Sequence, residues 1–136
     1  MDGNTAVGII KRRFRETSDP VLISLPGEGF FTAKLREDGI EVDNLSTQPF
    51  LPWDVFFETI KLLKRKGGRA ERGELTVYRL GDAGLELDTV EGQVAHAVYG
   101  KQIGENISHR IIPIAAILIW AGICESARGE LILRRA

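Results

Sequence analysis

"SHRIIPIAAILIWAGICE", residues 108 to 125, is the most apolar stretch of the chain, and it opens on a serine, a histidine and an arginine. It admits three readings: a membrane segment, a core helix, or the second helix of a DNA-reading unit with a polar tip. Length removes the first. Ile111 to Cys124 is 14 residues, interrupted by Pro113, where a span needs about 18 to 20. If Ser108 caps the helix, Pro113 is its fifth residue and must cost a hydrogen bond or bend the first turn. A helix that begins at Pro113, with 106 to 112 as a separate turn, avoids that conflict. From Ile111 onward the segment is apolar on every face, the pattern of a buried helix, shared with the N-terminal hairpin or with a dimer partner.

Upstream, Asp88 stands three residues before Glu91 and just ahead of Val90, Val94 and Val98. That capping-box arrangement predicts a helix from near Thr89 to Gly100. In "WDVFFETIKLLKRKGG" (53 to 68), Phe56, Ile60 and Leu63 recur at helical spacing, Pro52 suits the first turn, and Gly67-Gly68 stops the helix behind Lys64, Arg65 and Lys66. Between the two helices, Leu75 to Leu80 reads as a short extended piece and Gly81 to Gly84 as a turn.

Nearer the N-terminus the period falls to two. In "FFTAKLREDGIEVDNL" (30 to 45), Phe31, Ala33 and Leu35 alternate, Asp38-Gly39 signals a turn, and Ile40 and Val42 alternate after it. This predicts a β-hairpin, to which "VLISLPGEGF" (21 to 30) adds a short strand turned by Pro26 and two glycines. An isolated hairpin is marginal in water, so it should pack on the rest of the chain or on a second copy. Residues 1 to 19 carry Val7, Ile10 and Phe14 beside "KRRFR" (11 to 15), which suits either a short basic helix or a mobile tail. The expected partition is therefore 1–19 as helix or tail, 20–46 as hairpin, and 47–136 as the main domain.

The bulk composition fits one soluble globular domain: 136 residues, 43% apolar and 27% charged. A formal net charge of -1 gives no global argument for nucleic acid or an anionic membrane. Cys124 is the single cysteine, and with His96 and His109 it forms no metal spacing. Neither a metal nor a cofactor is expected. The charges of "KRRFR" follow a short apolar run instead of preceding a long one, unlike a secretory signal, and a reducing, cytoplasmic setting is expected. Catalysis is not expected either. "GEGFF" and "GDAG" lack the strand-to-helix context of a nucleotide loop, and Asp54 with Glu58 is a pair common on exposed faces. Trp53 and Trp120 read as core or interface anchors, and Cys124 as a small core residue.

The order of elements from Trp53 to Arg135 resembles a winged helix-turn-helix domain. "IKLLKRKGGRA" is similar to its first helix and short strand, "TVEGQVAHAVYG" to the helix before the turn, and "ILIWAGICESARGELILRR" to the end of a recognition helix running into a wing. The resemblance implies an α+β fold with a three-helix core and a C-terminal β-wing, preceded here by the N-terminal hairpin. It also implies that the second helix of the pair reads bases with its first residues. Those roles would fall to Asn106, Ser108, His109 and Arg110, with Lys101 and Gln102 in the turn and Arg128 at the wing tip. Arg110, with its planar fork, is the best base or phosphate partner of the group. The link "GKQIGENI" is longer than the tight turn of a standard unit.

Charge adds Lys64, Arg65, Lys66 and Arg69. Between Lys61 and Arg72 there are six basic residues against one acid, a local excess able to neutralise phosphates, although a basic last turn also simply complements a helix dipole. Glu74 to Gly92 carries five acids against one base, read as caps and solvated surface. Two functions are thus expected from the resemblance: a small DNA-binding protein, such as a homodimeric transcriptional regulator on duplex DNA, or the same scaffold serving as a protein-interaction or assembly module without DNA.

Overall fold

The computed structural model describes residues 1–17, 19–25 and 27–134; Pro26 and Arg135, both used above, lie outside them. Among the described residues the architecture is α+β, with four helices and two antiparallel sheets. Among the described residues no helix is long and apolar enough to cross a membrane.

The N-terminal segment is a helix. α1 (Gly3–Glu16) starts where the Asp2 carboxylate accepts the Thr5 N–H at 2.8 Å, an N-cap that satisfies one orphan donor. Ala6, Ile10 and Phe14 repeat every fourth residue and are buried against the rest of the chain. The period-two region becomes a meander wider than the expected hairpin: β1 (Val21–Ser24), β2 (Phe30–Leu35), β3 (Gly39–Val42) and β4 (Phe50–Pro52) pair in chain order. Register places Ala33 opposite Val42 and Leu35 opposite Ile40. The inward set is Val21, Ile23, Phe31, Ala33, Ile40, Val42 and Leu51; because side chains alternate faces, one register buries them all.

β4 runs directly into α2 (Trp53–Arg65), which buries Val55, Phe56, Thr59, Ile60, Leu62 and Leu63 and packs on α1. Gly67 and Gly68 end it at φ 81° and 107°, with the Gly68 N–H donating to the Leu63 carbonyl at 2.7 Å. A side chain resists that left-handed backbone; glycine does not. There follow β5 (Arg69–Glu71), α3 (Val90–Ala97), α4 (Ile111–Trp120), β6 (Cys124–Ala127) and β7 (Glu130–Leu133). The second sheet has the order β5-β7-β6. Of the expected extended piece, residues 75 to 80, Leu75 and Thr76 form a turn and only the stretch around Arg79 pairs, by a single antiparallel bridge to Asn106.

α4 begins at Ile111, so neither expected start holds: Ser108 does not cap it, and Pro113 stands in its first turn instead of opening it. There the missing N–H removes no helical bond, since first-turn donors have no partner within the helix. The all-apolar sequence is explained by its neighbours, because α4 packs on β1, α2 and β6. One apolar cluster joins α1, both sheets, α2 and α4; a smaller one gathers Leu80, Leu85, Ala95 and Ile107. The expected division at residues 19/20 and 46/47 therefore runs through a continuous core. β4, on the far side of the second boundary, is hydrogen-bonded to β3.

Phe14 ties the N-terminal helix to that core, with its ring edge-on to Trp120 at 4.9 Å between centroids. Phe14→Ala is expected to lower stability by about 3 to 5 kcal/mol, the cost of emptying a buried aromatic site. A mobile tail would instead leave the urea midpoint unchanged within about 0.5 kcal/mol.

Candidate functional site

α3 sets the geometry around the start of α4. Thr89 caps it, its hydroxyl oxygen accepting the Gly92 N–H at 3.0 Å. Gly92 is required by closeness, since a Cβ there would lie 2.0 Å from the Glu86 carbonyl oxygen. Asp88, expected to share in the cap, pairs with Lys66 at 2.7 Å instead, and that ion pair holds its carboxyl below the ordinary value.

Glu91, in the first turn of α3, is 2% exposed. One carboxylate oxygen accepts the Arg110 backbone N–H at 2.8 Å, and the other bonds His109 Nδ1. His109 Nε2 lies 2.7 Å from the Val77 carbonyl oxygen. A carboxylate and a carbonyl can only accept, so both ring nitrogens donate and the imidazolium is the form that fits. The bond to Glu91 accordingly raises the His109 pKa, against the opposing effect of burial. The buried carboxylate is balanced by this cation and by the positive end of α3. Three segments meet in this clamp: α3, the turns around Val77, and the residues that enter α4.

Arg110 is also turned inward. It is 7% exposed, its guanidinium lies 3.7 Å from the centre of the Tyr99 ring, and it donates to the Ser108 carbonyl at 3.1 Å and to Gln48 Oε1 at 2.5 Å. Gln48 holds this bond from a left-handed backbone, φ 51°. His109 and Arg110, expected to face outward as base or phosphate contacts, are turned inward here: His109 bonds Glu91 and Val77, and Arg110 bonds Ser108 and Gln48 through its terminal nitrogens while its Nε is buried without a partner.

Several of the remaining candidates have partners of their own. Lys66 and Arg69 are held in ion pairs, the second with Glu130 at 2.7 Å. Arg65 donates to Gln93 at 3.3 Å, and Lys64 is exposed at the end of α2. Lys101, Gln102, Asn106 and Ser108 lie on the link between α3 and α4, where the Lys101 carbonyl bonds His96 Nδ1 at 2.8 Å. Arg128 is exposed at the β6–β7 turn.

Arg128 is the one member of the expected set that lines a cleft of about 890 Å³ between the first turn of α4, the exit of β5 and the β6–β7 turn. Its apolar lining is Leu25, Leu75, Ile111, Ile112 and Ala115. Four carboxylates, Glu28, Glu71, Glu74 and Glu130, stand against two guanidinium groups, Arg72 and Arg128. Arg72 donates to Ser126 Oγ and to the Glu130 carbonyl in the second sheet. The free thiol of Cys124 lies elsewhere, and burial pushes its pKa up to about 12, which keeps it protonated and unreactive. Among the described residues no cluster of three His, Cys, Asp or Glu side chains could hold a metal ion.

Sequence reasoning took Glu91 for a cap on solvated surface and missed its burial. The signal was present, because Glu91 stands three and four residues before Val94 and Ala95, on the face that the helix buries. The cleft had no comparable signal, since its walls come from segments far apart in the chain. Comparison of the chain with protein-family models, with curated proteins and with solved structures gives no match in any of the three.

Two outcomes follow. Glu91→Ala strands both His109 and the Arg110 N–H, and is expected to cost about 3 kcal/mol in urea denaturation, as for a broken buried pair. In the native chain the His109 contribution is complete below 6.5, the ordinary histidine value, and is lost as pH rises through the higher folded value. Stability should therefore fall on the alkaline side of 6.5, and His109→Gln should remove that slope; a slope that the variant leaves intact would contradict the clamp.

Proposed function

We propose that the chain is a winged-helix-like interaction module whose partner is protein, and that it neither reads DNA nor catalyses a reaction. The scaffold part of this reading is supported by the order α2-β5-α3-α4-β6-β7 and by the sheet order β5-β7-β6, in which the last two strands form the wing. The observation that carries the functional part is the lining of the space between α4 and the wing. In a DNA reader that region meets phosphates and base edges; here it has an apolar floor and an excess of carboxylates. Phosphates would be repelled from it. The inward-turned His109 and Arg110 support the same conclusion, because withdrawing either from its partners would leave buried polar groups unsatisfied.

A non-catalytic role is supported by the state of His109, whose two ring nitrogens are both engaged as donors and leave none to take a proton. The test is a competition. A displayed peptide library panned on the intact chain should yield binders that mixed duplex DNA does not displace, and DNA itself should show no retention at low salt. Salt-dependent retention of duplex with a slope of several phosphates, and no peptide binder, would contradict the proposal.

A further inference from the structure

The geometry points to a particular partner chemistry. We infer that the cleft between the first turn of α4 and the β6–β7 turn docks a polypeptide segment of another protein that carries lysine or arginine together with apolar side chains. This rests on the interaction-module reading above and specifies its site.

The floor supplies the first argument. Ile112 is 45% exposed and Leu75 42% exposed, and they stand with buried Ile111 and Ala115 in one recess. Clustered apolar side chains in a concave surface mark a binding groove far better than scattered ones do. The rim supplies the second. Glu130 is already paired with Arg69 at 2.7 Å, and Arg72 donates to two neutral acceptors, Ser126 Oγ and the Glu130 carbonyl, so it keeps its positive charge. Exposed Glu28, Glu71 and Glu74 still outnumber Arg72 and Arg128, so the excess charge on the rim is negative and favours a cationic occupant.

A second copy of the chain fits this chemistry poorly. Its densest basic segment is Lys11 to Arg15 on α1, whose apolar side chains Ala6, Ile10 and Phe14 are already buried in its own core. It would bring charge without anything to cover the floor. A partner segment that alternates cationic and apolar side chains satisfies both halves of the cleft, in the manner of a peptide laid into a groove.

The probes are a synthetic amphipathic peptide of leucine and lysine, the same peptide with glutamate at every lysine position, and a mixed duplex DNA, each titrated into the isotopically labelled full chain. The lysine peptide should bind and shift the amide resonances of Leu75, Ile112 and Arg128, while the glutamate peptide should not. Ile112→Glu, at an exposed position, should weaken binding about ten-fold or more, and the double change Glu71→Lys with Glu74→Lys should do the same without touching the floor. Equal binding of both peptides, or shifts confined to another surface, would overturn the cleft assignment and leave the module reading standing. A concentration-dependent dimer lost in Ile112→Glu would overturn it in favour of self-association. Binding of duplex with no binding of peptide would overturn both readings.

Discussion

Glu91 is the group on which the arrangement of the C-terminal half depends. A carboxylate that is 2% exposed is tolerable only where each oxygen has a donor and the charge has a counter-charge. The chain meets this with the His109 imidazolium, the Arg110 backbone N–H and the first turn of α3. Because His109 also donates to Val77, one buried charge fixes the entry to α4 and the turns that border the cleft. Arg110, held between Tyr99 and Gln48, then ties the same entry point to the connection between β3 and β4.

With its start fixed in this way, α4 can be apolar on every side. It is enclosed by β1, α2 and β6, so the two sheets and the helices share one core. Only Ile112, in the first turn, keeps an apolar side chain substantially outside that enclosure, at 45% exposure, and it does so on the wall of the cleft. Packing and the proposed docking cleft therefore meet at the same helical turn.

Much of this could be read from residue order. α2 and its Gly67-Gly68 stop, the turn after Asp38, the start of α3 at Thr89 and the strand pair around Arg128-Gly129 all rest on local periodicity and turn chemistry. What was misread depends on contacts between distant segments. α1 could equally have been a tail, because only packing of Ala6, Ile10 and Phe14 decides it. A Ser-His-Arg tip ahead of an apolar helix looks the same in sequence whether it faces DNA or a buried carboxylate 17 to 19 residues upstream. Residues 72 to 89 carry little periodicity because their turns are held by Glu91, His109 and a small cluster of their own.

The central claim is that the polar tip "SHR" (108 to 110) is structural and closed inward, leaving the cleft beside it as the working surface. It is tested most directly by the ¹⁵N resonances of the His109 ring in the intact chain at neutral pH. The account predicts that both ring nitrogens are protonated and slow to exchange with solvent, with a titration displaced upward from 6.5. A neutral ring with one bare nitrogen, titrating as a free histidine does, would contradict it.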